Sequence, residues 1–134
     1  MSTALLLVLA ALVSGPPEPN IAAVDPDLST VASTGFHRLV VFRECSPEHC
    51  WAHSYLQWFD PETTERKVVA STEVKELGYG TMVESAKWVW SGEKARLEVQ
   101  VIPSHGEWFK PFTLTIYPGT AGAYTTSGEP AHEK

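Results

Sequence analysis

Leu97-Glu98-Val99-Gln100-Val101 and Phe112-Thr113-Leu114-Thr115-Ile116-Tyr117 alternate apolar side chains with polar or amphipathic ones. A period of two is the pattern of a half-buried strand, whereas a helix repeats every 3.6 residues. The same alternation recurs upstream. Val68, Ala70, Thr72 and Val74 oppose Lys67, Ser71 and Glu73, with Val69 blurring the contrast. Met82, Ala86, Trp88 and Trp90 share a face against Ser85, Lys87 and Ser91, so Trp88 and Trp90 are expected in the core. Residues 36–44 and 50–60 are aromatic and β-branched but alternate less cleanly, as strands covered on both faces do.

Turn signals separate these runs. Asp60-Pro61-Glu62-Thr63-Thr64, Ser91-Gly92-Glu93-Lys94 and Ser104-His105-Gly106-Glu107 are short hairpin connections, and Glu76-Leu77-Gly78-Tyr79-Gly80-Thr81 is a longer one. Connections this short leave no room for helical crossovers, so neighbouring strands are expected to pair in sequence. The pattern predicts an all-β, antiparallel meander of six to seven strands, closed as a small barrel or stacked as a two-sheet sandwich.

Outside this region the composition changes. Residues 5–13 are almost wholly apolar and are followed by Ser14-Gly15-Pro16-Pro17-Glu18-Pro19, so 1–19 reads as an export signal with a proline-rich exit. The apolar run is shorter than the roughly 20 residues a bilayer span requires, so no stable membrane span is expected. Residues 20–35 are small, acidic and β-branched: a linker, or an edge strand near 28–32. Residues 36–118 contain every aromatic side chain except Tyr124 and are expected to form the β domain. Residues 119–134, rich in Gly, Thr and Ala, read as a flexible tail.

The 134-residue chain has a formal net charge of −6, and no Lys or Arg precedes Arg38. This excludes the basic stripe of a nucleic-acid binder and favours cationic partners through the average field. The chain has two cysteines, in Cys45-Ser46-Pro47-Glu48-His49-Cys50-Trp51-Ala52-His53. In an oxidising compartment Cys45 and Cys50 are expected to form a disulfide that holds the first hairpin. The rival reading takes Cys45, His49, Cys50 and His53 as zinc or copper ligands. It is disfavoured, because Cys50 and His53 point to opposite faces of a strand and the spacing repeats no ligand motif. Neither a metal nor a cofactor is expected.

Catalytic patterns are not apparent. His37, His53 and His105 have no nucleophile or carboxylate partner at a recognisable spacing, and Gly78-Tyr79-Gly80 is too short for a phosphate loop. The aromatic residues are a better lead. Trp51, Tyr55 and Phe59 fall on one face of the second strand, and Trp108 and Phe109 follow the His105-Gly106 turn. Exposed aromatic strips mark contact sites. The expectation is a non-enzymatic, secreted (periplasmic or extracellular) β domain. It would bind a protein partner, a basic one by charge, as an envelope inhibitor or protective protein does. The alternative is a small carbohydrate- or ligand-binding module that uses the same strip, and an enzyme or metal carrier built around residues 45–53 is the third and least favoured reading.

Overall fold

The computed structural model describes residues 27–78, 80–104 and 109–128. The expected export signal and Trp108 lie outside these residues. Among the described residues eight strands form two four-stranded antiparallel sheets. The first sheet contains β1 (Leu28–Ser33), β2 (His37–Cys45), β3 (Cys50–Phe59) and β4 (Val68–Glu73). The second contains β5 (Thr81–Ser91), β6 (Lys94–Pro103), β7 (Phe112–Pro118) and β8 (Tyr124–Ser127). Each sheet is a meander in sequence order, and each stays open, which removes the barrel alternative.

Local chemistry sets the turns. Thr34 Oγ1 accepts from the amides of Phe36 and His37, folding the chain between β1 and β2. Ser46 Oγ accepts from the Glu48 and His49 amides in the same way between β2 and β3. Such side-chain acceptors satisfy turn N–H groups that no strand can reach. Gly92 takes a φ of +62° in the tight β5–β6 turn, a conformation that favours glycine.

The alternating residues from both sheets meet in one core. Leu39, Val41, Ala52, Leu56 and Trp58 of the first sheet join Leu97, Val99, Val101, Leu114 and Ile116 of the second. Each fully buried Leu, Ile or Val contributes about 1.5–3 kcal/mol relative to exposure. Hydrogen bonds also tie one sheet to the other. Trp88 Nε1 donates to the Ala32 carbonyl at 3.0 Å, Trp58 Nε1 to the Gly119 carbonyl at 3.2 Å, and Thr72 Oγ1 to the Gly122 carbonyl at 2.9 Å.

Three expectations are corrected. First, β4 and β5 do not pair: their connection passes the chain from one sheet to the other. Val74 and Leu77 of that connection are fully buried, and a short 3₁₀ turn at Lys75–Leu77 lies between the strands. Apolar side chains seated in the core stop this loop from closing as a surface hairpin. Second, the stretch expected as a flexible tail supplies β8, which pairs with β7 from Thr115–Ser127 to Pro118–Tyr124. Tyr124 packs against the core and gives this polar segment its anchor. With β1 at the edge of the first sheet, the strand count becomes eight. Third, Trp90 is 49% exposed, because its partner Ala95 lies at the hairpin end, past the last buried layer. Trp88 does pack against the core as expected.

Candidate functional site

The two outward faces differ in chemistry. On the second sheet Lys87, Glu98 and Thr115 stand in register, as do Ser85, Gln100 and Thr113. Lys87 and Arg96 lie 3.9 and 3.6 Å from the Glu98 carboxylate, and Thr113 donates to Gln100 at 3.0 Å. This face is mostly charged and polar, with one exposed aromatic, Tyr117, on the row of Thr113 and Thr115.

On the first sheet the outward rows are aromatic. β2 presents Arg38, Val40, Phe42 and Glu44, whose partners on β3 are Gln57, Tyr55, His53 and Trp51. β4 adds Ser71 beside Gln57 and Glu73 beside Tyr55. β3 alternates strictly from Ala52 to Trp58, because its opposite parity is committed to the core; on β2 Leu39 and Val41 are committed in the same way, while Val40 of the outward row is buried as well. Phe42 and Tyr55 meet edge to face, with ring centres 6.2 Å apart and planes at 71°. Trp51 lies 5.6 Å from the ring of His49.

His53 is the centre of the polar contacts. Its Nε2 accepts from Trp51 Nε1 at 3.3 Å and also meets Glu44 Oε2, while Nδ1 lies 3.9 Å from Glu73 Oε1. Above this group an open cavity of about 660 Å³ is lined by Asp27, Phe42, Arg43, Glu44, Cys45, His53 and Tyr55. Arg43 pairs with the buried Ala52 and so belongs to the opposite register row from Phe42 and Glu44.

The other end of the face is closed by the chain itself. Phe59 is only 5% exposed, with the guanidinium carbons of Arg38 and Arg66 at 5.3 and 4.4 Å from its ring centre. Arg66 is held there by a 2.6 Å hydrogen bond to the Thr34 carbonyl, and Arg38 by two bonds to Gln57 Oε1. Burial, followed by the like charge of Arg66, lowers the pKa of Arg38.

Of the expected binding residues, Trp51 and Tyr55 therefore share the outward face. Phe59 does not remain on an exposed strip, because two arginines cover it. Phe109 is likewise not a rim residue: it packs against the core and meets Phe112 at 5.5 Å. Phe42, Glu44 and Asp27 were missed as site residues. Their only sequence signal was position: Phe42 and Glu44 fall on the same parity as Arg38, a row that becomes outward once Leu39 and Val41 are assigned inward.

Cys45 and Cys50 are joined in a disulfide at the β2–β3 end, so their thiols are not available as metal ligands. Among the described residues no group of three or more His, Cys, Asp or Glu is arranged to hold a metal ion. None of the described helical residues forms a helix long and apolar enough to cross a membrane. No protein-family model, curated protein or solved structure matches this chain.

Proposed function

We propose that the protein is an exported, non-catalytic binding domain in which a two-sheet sandwich presents the outward face of its first sheet to a protein partner. The observation that carries this reading is the contrast between the two outward faces. The second face is mostly charged and polar, with Tyr117 exposed on it; the first gathers Phe42, Trp51 and Tyr55 on one face, and Phe42 and Tyr55 line a cavity there. Half-exposed aromatics with charged neighbours are the composition of interface anchors. Export is supported by the Cys45–Cys50 disulfide, which is compatible with an oxidising compartment, and by the apolar run at 5–13. A role as an envelope inhibitor or protective protein fits such a surface.

The carbohydrate reading is the weaker one, because the perpendicular Phe42 and Tyr55 rings do not form a flat platform for a sugar face. The deciding experiment is affinity capture from envelope extract with the immobilised full chain. Trp51→Ala with Tyr55→Ala should abolish capture, whereas Lys87→Ala with Thr115→Ala on the other face should not. Undiminished capture by the first pair refutes the assigned surface. Tryptophan fluorescence with soluble oligosaccharides checks the alternative, and a saturable shift would favour the carbohydrate module instead.

A further inference from the structure

We propose that the cavity over Phe42 and Tyr55 is the seat of a cationic side chain, arginine or lysine, presented by the protein partner. The inference rests on the docking reading above and names what that partner must carry. Three observations lead to it.

The first is the Glu44 carboxylate, which lines the cavity beside His53 and keeps 57% of its side chain exposed. An incoming guanidinium or ammonium can donate to it, and a charge-assisted bond of that kind is about twice as strong as a neutral one.

The second is the chemistry of the lining. Aromatic rings attract cations through their quadrupole, and Phe42 and Tyr55 line the cavity together with Asp27 and Glu44. Glu73 stands on the far side of His53 and adds to the negative field. Arg43 and His53 also line the cavity, Arg43 from the opposite register row. The whole chain, at −6, steers cationic partners toward it.

The third is an internal precedent on the same sheet. At Phe59 the chain places its own guanidiniums over an aromatic ring. At Phe42 and Tyr55 the rings meet each other beside carboxylates, an arrangement complementary to a guanidinium.

The test titrates N-acetyl-arginine amide into the isotope-labelled full chain and follows backbone amide signals, with N-acetyl-glutamine amide as the neutral control. The arginine probe should give saturable shifts at Phe42, Glu44, His53 and Tyr55 with millimolar affinity, weakened by salt. Glu44→Gln should reduce that affinity about fivefold, the factor for roughly 1 kcal/mol. Absence of saturable shifts, equal shifts with the glutamine probe, or unchanged affinity in Glu44→Gln would overturn the inference. The partner assay separates the two ideas. A captured partner held equally well by Glu44→Gln but lost by Trp51→Ala with Tyr55→Ala would sink the cation seat and leave the docking face standing.

Discussion

Tyr124 provides a sharp test of how the two sheets are joined. Its hydroxyl donates to Glu76 Oε1 at 2.6 Å and accepts from the Lys75 amide at 3.3 Å. It therefore ties β8 to the connection that leaves the first sheet. Tyr124→Phe keeps the ring, which packs against the core, and removes only these bonds. A hydrogen bond to a charged acceptor contributes about 1.5–3 kcal/mol when well buried, and solvent screening at this half-buried site reduces that to roughly 1–2 kcal/mol. Burial, then the bond to Glu76, pushes the phenol up to about 12 from its ordinary 10.0. The sign follows from proton linkage. Between pH 10 and 12 the unfolded chain loses the Tyr124 proton while the folded chain keeps it, so the stability that Tyr124 contributes is complete below pH 10 and lost as pH rises toward 12. Urea unfolding of both proteins across this range should show wild type more stable at neutral pH and the gap closing under alkali. Equal stability at neutral pH, or a gap that stays constant above pH 10, would refute the reasoning.

Two further outcomes follow from the first sheet. Cys45 and Cys50 close a loop with a sequence separation of 5. Chain entropy for so short a loop gives about 2 kcal/mol, so Cys45→Ala with Cys50→Ala should lower the thermal midpoint by roughly 10 °C; an unchanged calorimetric midpoint would show that the bond does not stabilise the fold. His37 stacks on Trp88 at 5.6 Å and meets the edge of Trp58 at 6.0 Å, and burial lowers its pKa from 6.5. The unfolded chain then takes up the His37 proton first as pH falls, so stability should be constant in this respect above pH 6.5 and decline through the lowered value. His37→Gln should flatten that acid arm in denaturant titrations; superimposable acid arms for the two proteins would exclude His37 as the source.

The strand class was legible because two-residue alternation reports burial on one face directly. Leu97, Val99, Val101, Leu114 and Ile116 are the clearest alternators and all lie fully buried. A two-sheet sandwich was one of two alternatives, but the point at which the chain leaves one sheet for the other was not legible. It depends on where Val74 and Leu77 go, and a turn-rich sequence around them gives no sign that they enter a core built mainly by distant strands. β8 was hidden for a related reason. Thr125, Thr126 and Ser127 are polar enough for a tail, and the pairing is fixed by Tyr124 and by backbone bonds to β7.

The site shows the same limit at the level of single side chains. Parity alone placed Trp51 and Tyr55 on one row, and they share the outward face. Parity also put Phe59 there, but a register shift at Trp58/Phe59 and two arginines from elsewhere in the chain bury it. An aromatic strip is therefore not a site until the long cationic side chains that could lie on it have been placed. At Phe59 the chain's own arginines occupy the ring. At Phe42 and Tyr55 the cavity lining carries Asp27 and Glu44 along with Arg43, and an aromatic pair beside carboxylates is complementary to the same guanidinium chemistry supplied from outside. The arginines at Phe59 therefore remove one proposed anchor and also indicate the class of group that the open end of the face would hold.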